Sequence, residues 1–233
     1  MFQTSDKALH FPYETEPDDH CESPTESYHD IVPILHALVE AKGKEDQLAI
    51  YDPYYCNGSV IRHLSEIGFP NVYNLKEDCY KTWSSEYSSQ PYPFYHVFLT
   101  NPPYSGDHIP RLLDHVFSRD FLNSKKPWLL LMPTYVHKKD FYKEALKRSG
   151  VKPFYLVPKK RYVYVPPKNF REKKNSDVHK KSSPFTSMWY VWGGSKAKNE
   201  VLIQRYLEVS KKNPSCELAR SKSALRDMRR KKV

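Results

Sequence analysis

The sequence predicts an α/β layer sandwich with parallel strand pairing. Short apolar runs alternate along the chain with segments of helical periodicity, which is the pattern of repeated strand–helix units. The apolar runs stop at turn residues, as at Asp52-Pro53, Pro133 and Gly193-Gly194. Two polar loops, 52–59 and 101–108, directly follow such runs. In open α/β sheets the ligand lies outside the carboxyl ends of the strands, so both loops stand where a site is expected.

The elements follow in order. Residues 1–27 are acidic and broken by Pro12, Pro17 and Pro24, and read as a flexible leader. Ile31, Ile34, Leu35, Leu38 and Val39 recur at helical spacing and predict a helix over 29–41, ended by Gly43. Leu48-Ala49-Ile50-Tyr51 predicts a buried strand, and Val60 to Leu64 opens a second helix that closes near Gly68. Asn71 to Asn74 is a short strand candidate, and Val97-Phe98-Leu99-Thr100 is a stronger one. A helix over 109–118 precedes the strand Trp128 to Met132, and a helix over 138–148 precedes the strand Phe154 to Val157. Thr186 to Trp192 is the last strand expected. A core domain over 28–194 results, interrupted by a basic loop at 168–183. The rest, 195–233, reads as a basic extension with a helix over 199–211 and a solvated tail at Arg229-Arg230-Lys231-Lys232.

The formal net charge of +10 favours a polyanionic partner, because lysine and arginine release counterions from phosphates. The four cysteines include no C-x-x-C pair, so neither a zinc site nor a disulfide framework is expected. No apolar run reaches the length of a membrane span, and the reading is a soluble intracellular protein of the nucleus or cytoplasm.

Two constellations carry chemistry. Asp52-Pro53-Tyr54-Tyr55-Cys56-Asn57-Gly58-Ser59 joins a strand to a helix. A glycine there lets the backbone approach a ligand, the helix start offers free N–H groups, and Asp52 can pair with a cation. An ordinary capped turn would need only some of these residues. Asn101-Pro102-Pro103-Tyr104 directly follows the strand at 97–100. Its prolines fix φ and remove two donors, which leaves carbonyls and the Asn101 amide oxygen as acceptors beside a flat Tyr104 face. That arrangement suits a planar group bearing an NH₂.

The first loop resembles the cofactor loop of class I S-adenosylmethionine-dependent methyltransferases, and Asn101-Pro102-Pro103-Tyr104 resembles the catalytic motif of the amino-methyltransferases among them. The order, cofactor loop first, is similar to that of γ-type adenine-N6 enzymes and of enzymes that methylate glutamine in release factors. Departures are Tyr54 and Tyr55 where small residues are usual, and Asn57 where another glycine is. Lys160-Arg161-Tyr162 and Ser183 to Trp189 loosely resemble the final hairpin of phage Dam-like adenine methyltransferases. The resemblance covers roughly 28–194. It implies a Rossmann-like class I methyltransferase three-layer sandwich with an antiparallel C-terminal hairpin.

It further implies S-adenosylmethionine near Asp52, Tyr54, Cys56, Gly58, Asn74, Asp78 and Asn101, and transfer to the exocyclic amino group of adenine at Asn101, Pro102, Pro103 and Tyr104. Tyr104 is expected to stack on the base. Asp107 and His108 are candidates for substrate contacts, with helix capping the favoured role of Asp107. Arg161, Tyr162, Tyr164, Lys168 and Arg171 are candidates for following a nucleic acid strand, RNA in preference to DNA. An adaptor protein subunit supplying specificity, a protein glutamine-N5 activity, and an inactive fold kept as an RNA-protein scaffold stay open.

Overall fold

The structure is a computed structural model; it describes residues 12–13, 19, 21–40, 43–84, 93–165, 186–211 and 214–230. Lys168, Arg171 and the basic loop at 168–183 lie outside the described residues, as does most of the leader.

The chain enters through α1 (Thr25–His29) and α2 (Val32–Glu40). One helix was expected over 29–41. Pro33 has no N–H to give to the carbonyl four residues back, so the helix breaks before it. The core then runs β1 (Ile50–Tyr51), α3 (Ser59–Glu66), β2 (Val72–Tyr73), α4 (Cys79–Trp83), β3 (Val97–Thr100), α5 (His108–Val116) and α6 (Arg119–Asn123). It continues through β4 (Trp128–Pro133), a 3-10 turn over Thr134–Lys138, α7 (Asp140–Ser149), β5 (Phe154–Pro158) and β6 (Ser187–Trp192). The chain closes with α8 (Lys196–Val209), β7 (Cys216–Ala219) and α9 (Lys222–Arg230).

The described strands form one sheet in the order β2-β1-β3-β4-β6-β5-β7. The first four pair in parallel, in agreement with the alternating pattern. The other pairings, β4 with β6, β6 with β5 and β5 with β7, are antiparallel. The chain leaves β1 for β2 on one side and returns to place β3 on the other. That reversal opens a crevice at the carboxyl ends of β1 and β3, from which the two polar loops depart.

Side-chain alternation divides the apolar residues between two faces. Leu129 and Leu131 of β4 pack on one side with α1, α2, α3 and α8, through Tyr28, Leu35, Leu64 and Ile203. Trp128, Leu130 and Met132 pack on the other with α4 to α7 and α9, through Cys79, Leu112, Phe121, Tyr142 and Leu225. Both faces are covered, so the central strands read as unbroken apolar runs rather than alternating ones.

Beyond the helix expected over 199–211, the basic extension also holds a strand and a helix that were not expected. β7 adds to the sheet edge, pairing Tyr155 with Ala219 and Pro158 with Cys216. Leu225 of α9 is fully buried while Arg226, Arg229 and Arg230 remain exposed. Ala224 and Met228 pack beside Leu225, giving a narrow apolar stripe on a helix whose many charges resemble a solvated tail.

Candidate active site

The two loops meet at the crevice through a single pair. Thr100, the last residue of β3, donates its hydroxyl to Asp52 Oδ1 at 2.5 Å, and the Tyr54 amide donates to the same oxygen at 3.2 Å. Asp52 is buried at the end of β1, and Asn101 follows Thr100 directly. Burial raises the Asp52 carboxyl from its ordinary 3.8 to about 7, although the two hydrogen bonds pull the other way. A carboxyl held near neutrality gains from any cationic ligand that restores its charge.

Asn74, at the end of β2, forms the neighbouring wall. Its Nδ2 donates to the Asp52 carbonyl at 3.0 Å and to the Tyr54 carbonyl at 3.4 Å. Its Oδ1 is buried with no hydrogen-bond partner. A buried acceptor left unmatched is costly, and here it lines the crevice beside Asp52. Gly58 adopts a φ of +78°, a left-handed conformation that favours glycine, and a Cβ there would meet the Tyr55 ring at 3.3 Å. Cys56 lines the same crevice, and burial pushes its thiol up to about 12, away from thiolate chemistry.

The motif after β3 is built differently from the expectation. Pro102 and Pro103 are buried and Asn101 is partly exposed. Tyr104 turns inward, donating its hydroxyl to Asn101 Oδ1 at 2.7 Å and meeting the Tyr164 hydroxyl at 2.9 Å; Tyr164 in turn meets Ser187 Oγ at 2.6 Å. The Tyr104 ring lies edge-on to Tyr164 at 81°. Tyr104 therefore orients the Asn101 amide instead of offering a stacking face. An amide oxygen has two lone pairs, so Asn101 Oδ1 retains one for a further donor.

An acidic segment from the leader lies across the crevice. The Asp19 carboxylate accepts from the amides of Tyr104 at 3.0 Å and Ser105 at 3.1 Å, and from the Ser105 hydroxyl. Glu22 Oε1 accepts from the Ser59 amide at the start of α3 at 3.3 Å, and the Glu22 backbone bridges Val165 in both directions. Tyr13 packs edge-on against Tyr54, Tyr80 and His108. The leader thus ties the 52–59 loop and the start of α3 to the 101–104 motif. Sequence reading missed Asp19, Glu22 and Tyr13 because acidity and prolines resemble a solvated tail. Their only signal was two carboxylates three residues apart in a basic protein.

Other expected residues are placed elsewhere. Asp78 caps α4, accepting from the amides of Tyr80 and Lys81 at 3.1 and 3.3 Å, which commits its Oδ1 to the helix. Asp107 stands at the α5 N-cap position without a side-chain cap bond, and it faces Arg111 at 3.8 Å, which corrects the capping assignment. His108 is buried, with Nδ1 2.5 Å from the Tyr80 hydroxyl, and Tyr80 meets the Tyr54 hydroxyl at 3.0 Å. His108 and Tyr80 therefore belong to an aromatic cluster with Tyr13 and Tyr54 behind the crevice, while Asp107 is exposed. Arg161 is exposed. Tyr162 is 5% exposed and donates to the buried Asp30 carboxylate, so it is a core residue and not a stacking ring for a base. Tyr164 is equally buried, in the Tyr104 network.

The crevice holds about 40 Å³, whereas sites for small organic ligands span ~300–1,000 Å³. Its donors and acceptors suit a ligand bearing an amino and hydroxyl groups, and room for one requires Tyr13, Asp19 and Glu22 to move aside. Among the described residues no group of three or more His, Cys, Asp or Glu side chains is placed to hold a metal ion, and no helix is long and apolar enough to cross a membrane. No protein-family model matches the chain, and no curated protein is significantly similar to it in sequence.

Proposed function

We propose that the protein is an S-adenosylmethionine-dependent N-methyltransferase acting on the exocyclic amino group of adenine in nucleic acid, RNA in preference to DNA. The observation that carries this is the Thr100–Asp52 hydrogen bond at 2.5 Å, which sets Asn101 beside a buried carboxylate at the point where the strand order reverses. A cation site and an amide acceptor for the reacting NH₂ are thereby held at one crevice. Residues suited to the cofactor are Asp52 for its amino group, Asn74 Oδ1 for a hydroxyl, and Gly58 for close backbone approach.

Bound there, S-adenosylmethionine would supply an electrophilic methyl group. The protein's part is alignment and electrostatics. Asn101 Oδ1 and the Pro102 carbonyl accept from the adenine NH₂, which draws its lone pair out of the ring and stabilises the positive charge that develops. Asn101 takes no proton, and the amine releases it to solvent after transfer. A base inside a duplex cannot reach the crevice, so the target is flipped or single-stranded. The 40 Å³ crevice favours one competing reading, a methyltransferase fold kept as an assembly scaffold.

Calorimetric titration with S-adenosylmethionine separates them. Wild type is expected to bind at micromolar levels. Asp19→Ala, which unpins the acidic segment from Tyr104 and Ser105, is expected to bind several-fold more tightly. Absence of binding in both proteins would overturn the proposal in favour of the scaffold.

A further inference from the structure

β4 ends beside β3, and the 3-10 turn that follows it lies at the same rim of the sheet as Asn101. Tyr104, whose hydroxyl meets Asn101, also reaches the Leu131 carbonyl of β4 at 3.5 Å. Beyond it, Thr134 bonds to Thr186 through backbone at 2.8 Å and through hydroxyls at 2.9 Å. Arg229 Nη2 of α9 reaches Thr134 Oγ1 at 3.5 Å. A continuous rim therefore runs from the Asn101 motif, across Thr134, to the C-terminal turns of α9.

That rim is strongly cationic. Lys222, Arg226 and Arg230 fall four residues apart and share one stripe of α9, with Arg229 beside them. Successive members stand ~6 Å apart along the helix axis, on the scale of one nucleotide step in an extended strand. Arg226, Arg229 and Lys138 are exposed, and among the described residues none of them makes an ion pair. The nearby Asp140 is already paired with Lys143 at 2.6 Å, which leaves Asp227 as the acid on α9 itself. His137 sits among these cations, 1% exposed, with Nε2 lacking a partner. Burial lowers its pKa, the hydrogen bond to the Thr134 carbonyl opposes this, and Arg229, Lys138 and Lys222 lower it further. Cations that outnumber their counter-charges are a standing electrostatic cost that a polyanion relieves.

We propose that α9 and the turn after β4 form a phosphate-binding track for single-stranded nucleic acid, with Lys138, Thr134, Arg226, Arg229 and Arg230 contacting the backbone of the strand whose target base enters at Asn101. The position of the target base rests on the function proposed above; the track itself does not. It places strand binding on the C-terminal helix, a helix not expected from the sequence within the basic extension.

The test is fluorescence anisotropy of a labelled single-stranded RNA oligonucleotide over a salt series, without methyl donor. Arg226→Glu/Arg229→Glu changes two exposed side chains and is expected to weaken binding at least tenfold. It should also flatten the slope of log affinity against log salt by roughly 1.4, the value for two lost single-strand phosphate contacts. Lys196→Glu/Lys198→Glu makes the same change in net charge at the start of α8, at the opposite rim of the sheet, and is expected to alter affinity less than threefold. Thermal melting checks that both variants stay folded. Equal losses in the two variants, or no loss in the first, would overturn the track. So would retention on anionic phospholipid vesicles with no RNA binding. The readout needs no cofactor, so a failure of the function proposed above would show separately, in the S-adenosylmethionine titration and in the methyl-transfer rate.

Discussion

Asn101→Ala is expected to lower the methyl-transfer rate by ~10²–10³-fold, the scale seen when one preorganised electrostatic partner is removed from a reacting centre. Cofactor affinity should change by no more than a few-fold, because the Asp52 site stands on a different loop. The fold should hold. Tyr104 loses its 2.7 Å acceptor but keeps the Tyr164 hydroxyl at 2.9 Å, and Asn101 is not a core residue. The loss should appear in kcat more than in KM, since the amide acts on charge that develops in the transition state. Rapid-quench kinetics with labelled methyl donor checks this. Turnover in the variant within twofold of wild type would remove Asn101 from the chemistry.

Asp52→Asn should separate stability from binding. A carboxyl with a folded pKa of about 7 and an ordinary value of 3.8 holds its proton more firmly folded than unfolded. The folded state therefore binds more protons between these values, and stability falls as pH rises from about 4 to about 7, then levels off. Asn cannot ionise, yet its amide oxygen can still accept from Thr100 and Tyr54. The variant should melt at least ~3 °C above wild type at pH 8, a shift worth about 1 kcal/mol in a domain of this size. Its melting temperature should also vary less between pH 5 and 8. Binding should move the other way. Wild-type affinity for S-adenosylmethionine should weaken by roughly tenfold per pH unit below 7, because Asp52 must lose its proton to face a cationic amino group. The variant should bind weakly at every pH. Melting curves and titrations across pH read both effects. A variant less stable than wild type at pH 8 would contradict the buried-carboxylate account.

Much of the fold was legible because the long apolar runs at 97–100, 128–132 and 186–192 are buried on both faces and could hardly be anything but central strands. The crevice was legible for a related reason. Asp52 and Asn101 each follow such a strand, and one sheet brings adjacent strand ends together. What was not legible depends on contacts distant in sequence. Tyr104 turns away from a stacking role because Tyr164, sixty residues on, offers its hydroxyl. Tyr162 is buried because Asp30 waits for it across the molecule. The acidic leader closes the crevice only because the amides of Ser59, Tyr104 and Ser105 are presented to Glu22 and Asp19. β7 is short and of mixed polarity, the narrow Ala224, Leu225 and Met228 stripe of α9 stands among many charges, and their place is set by an open sheet edge and the pocket that takes Leu225.

The most direct test of the central claim is transfer of labelled methyl from S-adenosylmethionine to paired single-stranded RNAs, identical except that one contains adenine and the other has none. The account predicts label in the adenine-containing RNA, recovered after digestion as N6-methyladenosine and absent with Asn101→Ala. Label in neither RNA, despite measurable cofactor binding, or equal label in both, would contradict it.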